Sequence, residues 1–312
     1  HKSGKNTLEV IFTVLHAGGK FSNEGGYKTA GGLHGVGASV VNALSKWCEV
    51  EVCRDKKRYR MRFENGGKKI GKLEELGSTN KTGSKVTFMP DDTIFSTTTF
   101  NFNTICERAQ EEAFLLEGVK IIVKDYIHNE ESEFHYENGL LAFMNYLHED
   151  KDVLHEPVIF SGESNGINIK CAFQYTDGYQ ENTFSYVNLV RTKDGGTHEV
   201  GYKTAFTKTI NDYARNNGLL KEKDKNFEGS DVREGLTSII VVTIPEDLLQ
   251  FEGQTKGKLG TPIAKTAVDN VVSEHLMYFL VENKDLATSL IKKIQRAAYA
   301  RDAARKAKDE AR

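Results

Sequence analysis

Apolar residues recur along this chain at two spacings, and the change from one to the other marks out its elements. Leu8, Ile11, Phe12 and Leu15 fall on one face of a helix. Asn6 and Glu9 stand three apart at its start, as a capping box requires, and Gly18 suits its end. A second helix begins near Ala38, with Val40, Val41 and Leu44 apolar. The spacing then drops to two: WCEVEVCR and KRYRMRFEN predict strands joined by a turn at Asp55-Lys56-Lys57, and SKVTFMP predicts another. A helix follows over 102–116, VKIIVKDY is a strand, and ENGLLAFMNYL is a further helix.

Composition shifts at EDKDVLHEP, where charges gather before Pro157, and a domain boundary is placed there, giving domains 1–150 and 151–312. Beyond it INIKCAFQYT, TFSYVNLVR and GLTSIIVVTIP predict strands. A long helix spans about 197–216, and two more helices run from Pro262 to the end. The last of these carries eight basic and three acidic residues after Ser289, a pattern of a solvated face or of a link to another domain rather than of a nucleic-acid grip.

With 312 residues, of which 38% are hydrophobic and 28% charged, the chain has material for two cores. A net charge of −2 gives no global pull toward nucleic acid. No apolar run reaches the roughly 20 residues of a membrane span. Cys48, Cys53, Cys106 and Cys171 have no metal-ligand spacing and read as reduced thiols of a cytoplasmic protein. The chain opens HKSGKNTLEV without a methionine, so the expectation is of a fragment.

Glycine gathers where the chemistry is expected. Residues 25–45, GGYKTAGGLHGVGASVVNALS, hold six glycines and one charged side chain. Within them Gly32-Leu33-His34-Gly35-Val36-Gly37 has the spacing G-x-x-G-x-G, followed at once by the helix near Ala38. Backbone N–H groups converging beside a helix N-terminus cradle an anion, and glycine permits the close approach; a mobile turn is the plainer alternative. The spacing is the reverse of a dinucleotide fingerprint, and a helix rather than a strand precedes it. The nearest Walker A match, Gly66 to Lys72, has Leu73 in place of the hydroxyl residue and sits in a strand turn.

GGYKTAGGLHGVGASVVNAL resembles the lid and third ATP-binding motif of the gyrase/Hsp90/histidine kinase/MutL superfamily, in its bacterial type IIA DNA topoisomerase form. HAGGKF, TGSKVTF, DGGTHEVG, REGL and QTKGKLG appear in that family's order over nearly the whole chain. HKSGKNTLEVIFTVLHAGGKF, RTKDGGTHE and MPDDTIF are closer to its topoisomerase IV branch than to its gyrase branch. The resemblance implies an α+β chain: a GHKL (Bergerat) ATP-binding α/β sandwich, incomplete at its N-terminus, then a transducer domain of ribosomal protein S5 domain 2-like fold. It places Gly32, Leu33, His34, Gly35, Val36, Gly37 and Ala38 around the triphosphate of ATP. Tyr27, Lys28 and Lys20 belong to the lid, Ser84 faces the base where the family often has threonine, and Arg54 lies on the pocket rim. Lys256, with Gln254 beside it, reaches the γ-phosphate from a loop of the second domain, where a cation offsets charge on the phosphoryl oxygens. His34 serves through its backbone, and His16 ends a helix.

The resemblance also places three residues upstream of His1: the general-base glutamate, the asparagine that binds Mg2+, and the aspartate that reads adenine. On that expectation this chain alone hydrolyses ATP weakly or not at all. The implied partners are DNA, a topoisomerase IV partner protein carrying the DNA-cleaving tyrosine, and a second ATP-bound copy; no membrane is implied. Arg191, Lys193, Lys203 and Lys208 either line a DNA cavity or are solvated charges. Two rivals remain: a non-catalytic nucleotide- or inhibitor-binding module, and a chaperone or mismatch-repair clamp, against which DGGTHE and QTKGKLG argue.

Overall fold

The computed structural model describes residues 2–18 and 35–312, and the chain divides into two compact units, His1–Asn101 and Phe102–Arg312. Of the sequence-predicted site, Lys20, Tyr27, Lys28, Gly32, Leu33 and His34 lie outside the described residues.

In the first unit α1 (Thr7–Thr13) and α2 (Gly37–Ala43) precede an antiparallel sheet of β1 (Ser45–Arg54), β2 (Lys57–Glu64), β3 (Lys69–Ile70), β4 (Glu74–Ser78) and β5 (Gly83–Pro90). The strand order is β3-β2-β1-β5, with β4 also on β2. Asp55 and Lys56 take φ values of 52° and 62°, both left-handed, so a two-residue turn joins β1 to β2 with the twist a hairpin needs. That turn sets the register: Cys48 faces Phe63, Val50 faces Met61 and Val52 faces Tyr59. Since side chains alternate, these share one face of the sheet. Phe12 from α1 covers them, its ring 5.8 Å from that of Phe63, and Cys48, Val50, Met61 and Phe63 are buried beneath it. Removing a ring such as Phe63 from water contributes about 2–3 kcal/mol. Helix α1 stops at Thr13 rather than at Gly18. Val14 is extended, as β-branched residues favour, and His16 follows with φ 60°.

The second unit opens with α3 (Phe102–Leu115), the hairpin β6 (Ile121–Asp125) and β7 (Glu130–Phe134), and α4 (Gly139–Leu147). Its main sheet holds β8 (Val158–Ser164), β9 (Ile167–Tyr175), β10 (Asn182–Val187), β11 (Val190–Arg191) and β12 (Leu236–Thr243) in the order β11-β10-β12-β9-β8. β10 and β12 are parallel, and the crossover between them carries α5 (Thr197–Asn216) and α6 (Gly229–Arg233). A short pair, β13 (Phe251–Glu252) and β14 (Lys258–Leu259), precedes α7 (Pro262–Glu282) and α8 (Lys284–Glu310).

Helices cover this sheet on both faces. Phe114, Leu140, Phe143 and Met144 of α3 and α4 pack on Ala172, Tyr186 and Ile239. On the other face Phe206 of α5 meets Phe173 edge-on at 5.1 Å, and Tyr202 donates to Ser238 Oγ at 2.7 Å. A strand covered twice reads as a continuous apolar run, which is why β12 is LTSIIVVT. By compactness, then, residues 102–150 belong with the second sheet, upstream of the composition change.

The segment TFSYVNLVR is not one strand. Asn188 and Leu189 take φ values of 47° and 67° and fold it into the β10–β11 hairpin. The Asn188 side chain holds the turn down: its Oδ1 accepts from Ile244 N at 2.8 Å, and its Nδ2 donates to Ile244 O at 3.0 Å. The basic last helix is used inside the molecule as well. Arg301 of α8 forks onto Asp231 of α6, with bonds of 2.9 and 3.0 Å, and Lys293 donates to the carbonyls of Gly178 and Glu234. Beyond Arg301 the helix is exposed.

Candidate nucleotide site

The first unit holds a cleft of about 970 Å3 beside α1, over the β1–β5 side of the sheet. Its wall follows from register. Ser84 lies opposite Val52, and Val86 opposite Val50, so the core face of β1 runs on to β5. On β1 that face is covered, with Val50 2% exposed; on β5 it is open, with Val86 48% exposed. Ile11 and Phe12 of α1 close one side, and Asn6, Arg54, Thr82 and Ser84 supply a polar rim. Asn6 also caps α1, its Oδ1 accepting from Glu9 N at 2.9 Å. An uncovered apolar wall with hydroxyls and an amide at its edge suits a flat heteroaromatic ring.

Asp55 is the one carboxylate among the described residues lining this cleft, and it pairs with Arg54 at 3.7 Å on the exposed rim. Among the described residues no group of three or more His, Cys, Asp or Glu could hold a metal ion.

Gly35, Val36, Gly37 and Ala38 lead into α2. Gly35 is left-handed, φ 59°, and a Cβ built on Gly37 would meet nothing within 4 Å. Among the described residues no side chain caps this helix end, and its first intrahelical bond runs from Val40 N to Val36 O, so the amides of Gly37, Ala38 and Ser39 have no intrahelical partner and could serve an anion. The helix is held by a residue that the sequence pattern did not single out. Asn42 is 1% exposed, and its Nδ2 donates to Phe12 O at 2.9 Å, tying α2 to α1. Val40 and Val41, the large apolar residues of this helix, are exposed instead, so apolar periodicity gave no signal for Asn42.

Lys256 and Gln254 belong to the second unit, in the turn between β13 and β14. Gln254 is exposed and Lys256 half-buried. Lys256 has φ 56°, an uncommon backbone for a residue with a Cβ, and Lys256 N donates to Gly253 O at 3.4 Å. Burial pushes the Lys256 ammonium below the usual lysine range.

Two sequence motifs meet around this turn. Asp194 N donates to Gly257 O at 2.8 Å, Leu259 N donates to Gly195 O at 3.1 Å, and Thr197 Oγ1 donates to Thr261 O at 2.7 Å. DGGTHEVG and QTKGKLG, more than fifty residues apart in the chain, thus form one local structure. Of the basic residues considered for a DNA cavity, Lys203 pairs with Glu181 and Glu199 at 3.5 and 3.4 Å, and Arg191 lies over the Phe184 ring. Lys203 and Lys208 line a groove along α5.

Comparison with known proteins places the chain in a family. Residues 139–310, more than half of the chain, match the profile of DNA gyrase B. The chain belongs to the DNA gyrase B family. Among relatives of this family, the B subunit of DNA topoisomerase 4 from Bacillus subtilis (strain 168) is 62% identical over 312 residues, covering 100% of this chain and 48% of the relative. The protein of the same name from Enterococcus faecalis is 61% identical, covering 97% of this chain and 44% of the relative. The chain spans about half the length of the curated relatives it matches.

Among solved structures, the 43K ATPase domain of Thermus thermophilus gyrase B, in complex with an aminocoumarin, matches with a TM-score of 0.77 and 38% identity, over 99% of this chain and 79% of that one. The topoisomerase IV ATP-binding domain of Francisella tularensis, in complex with a small-molecule inhibitor, matches with a TM-score of 0.78 and 31% identity, over 96% of this chain and 79% of that one. The fold is thus the α+β, GHKL-type fold of the gyrase B and topoisomerase IV ATPase regions.

Proposed function

We propose that this chain is the ATP-binding and transducing portion of the B subunit of a topoisomerase IV, acting with the enzyme's A subunit, which cleaves DNA. The observation that carries the reading is the joint presence of two features. One is a cleft with an open apolar wall and an uncapped helix end in the first unit; the other is a half-buried lysine on a braced turn in the second. The cleft takes the base, with Ser84 at its edge, and Gly35 to Ala38 receive the phosphates. Lys256, with Gln254 beside it, serves the γ-phosphate, where a cation stabilises the charge that builds as the phosphoryl group leaves. Lys20, Tyr27, Lys28 and Gly32 to His34 complete this site on the family pattern.

ATP binding joins two copies of the protein into a gate around a DNA segment, and loss of the γ-phosphate releases the Lys256 turn and lets the gate reset. Mg2+ accompanies the nucleotide. The chain alone binds nucleotide weakly and turns it over little; Asp55, the one carboxylate among the described residues lining the cleft, is an exposed rim residue paired with Arg54. The intact protein works in the cytoplasm, on the nucleoid. Names and identities among the relatives favour topoisomerase IV over gyrase as the parent.

The test is strand passage by the full-length protein with its cleaving partner. Linked DNA circles are unlinked only when both proteins and ATP are present. Unlinking that needs no ATP, or an inability to unlink under any condition, would overturn the proposal.

A further inference from the structure

The DGGTHE segment takes no part in the nucleotide site as proposed, although it is built to unusual tolerances. Gly196 stands at φ 135°, ψ −166°, a region open only to glycine, and a Cβ there would fall 2.4 Å from Leu259 O. It pairs with Leu259 as an isolated parallel bridge. On one side of that bridge Asp194 N reaches Gly257 O, the residue directly after Lys256. On the other, Thr197 Oγ1 reaches Thr261 O, where the loop enters α7. Thr261 is itself a junction, 2% exposed, donating to Leu248 O at 2.8 Å and accepting from Gln250 N at 3.0 Å. The loop that carries Lys256 is therefore closed at its base by Thr261 and held along its outgoing limb by residues 194 to 197.

The bracing segment is anchored in turn. Thr192 Oγ1 lies 2.8 Å from His198 Nε2 and 2.7 Å from Ser185 Oγ, and Ser185 Oγ donates to Glu199 Oε2 at 3.0 Å. His198 is fully buried, and Ser185 belongs to β10 of the main sheet. A displacement of the Lys256 turn thus pulls on the first turn of α5 and on β10 rather than on solvent.

We propose that Asp194 to Thr197 form a clasp that positions Lys256 by holding its left-handed backbone in the conformation from which the side chain serves the nucleotide's terminal phosphate. Gly196 and Thr197 are positioning residues, since they act through the backbone of 257 to 261 and do not touch the nucleotide. The clasp rests on the assignment of Lys256 to that phosphate, and the experiment separates the two.

Steady-state ATP turnover is measured for the full-length protein with its DNA-cleaving partner and DNA, comparing wild type with Lys256→Ala, Gly196→Ala, Thr197→Val and Thr197→Ser. A shift of the lysine by about 1 Å costs on the order of 10- to 100-fold in kcat. Because the lost contact belongs to the transition state, nucleotide KM stays within about threefold. Gly196→Ala and Thr197→Val show this fall in kcat, and Thr197→Ser, which keeps the hydroxyl, returns to wild type. Wild-type kcat in Thr197→Val beside an inactive Lys256→Ala overturns the clasp and leaves the lysine assignment standing. A rise in KM with kcat unchanged in Thr197→Val also overturns the clasp. Wild-type turnover in Lys256→Ala overturns the lysine assignment and the clasp with it. Should Gly196→Ala fail to fold, the two Thr197 variants decide.

Discussion

At the scale of the residue, the positions that matter most are those held where water cannot reach them. His198 is the clearest. Burial pushes its imidazole down to about 4, while the same group in an unfolded chain keeps its ordinary value near 6.5. The unfolded chain therefore binds the extra proton between those values. The stability His198 contributes is fully present above pH 6.5 and is lost as pH falls toward 4. Between pH 6.5 and pH 5 this amounts to about 2 kcal/mol. Urea unfolding at pH 7 and pH 5 checks it: the wild type should lose about that much more than His198→Gln. The sequence showed His198 as part of a family motif but not as a buried group, because burial depends on how α5 meets β10. Lys256 has the reverse history. Its proposed role came from the motif alone, and what the structure adds is a left-handed backbone and partial desolvation, neither of which a Q-T-K tripeptide displays.

At the scale of the element, periodicity located the long helices and the central strands well, since each buries one regular face. It was weakest where a side chain overrides local preference. The turn at Asn188-Leu189 is invisible in TFSYVNLVR because leucine rarely takes φ 67°; the turn exists because Asn188 is bonded to Ile244, fifty-six residues away. The exposed-looking basic helix is another such case. Arg301 reaches Asp231, which is 3% exposed, so Arg301→Ala strands a buried carboxylate. Loss of that fork should cost about 2–3 kcal/mol, read as a lower urea midpoint with an unchanged denaturant slope. A change in slope would mean that α8 detaches before the rest of the unit unfolds.

At the scale of the whole molecule, the order of motifs was enough to place the chain in its family. The compact units separate at 101/102, because Phe114 and Phe143 bury themselves on the second sheet. The cleft was legible only in part. TGSKVTF marked Ser84, yet the apolar wall depends on the β1–β5 register, which no local pattern states.

Lys256 is the residue on which the proposed mechanism turns. The most direct measurement is ATP turnover by the full-length protein, with its cleaving partner and DNA, for wild type against Lys256→Ala. Removal of a single group that stabilises transition-state charge lowers kcat about 100- to 1000-fold, and that loss is the predicted result. Turnover close to wild type would contradict it.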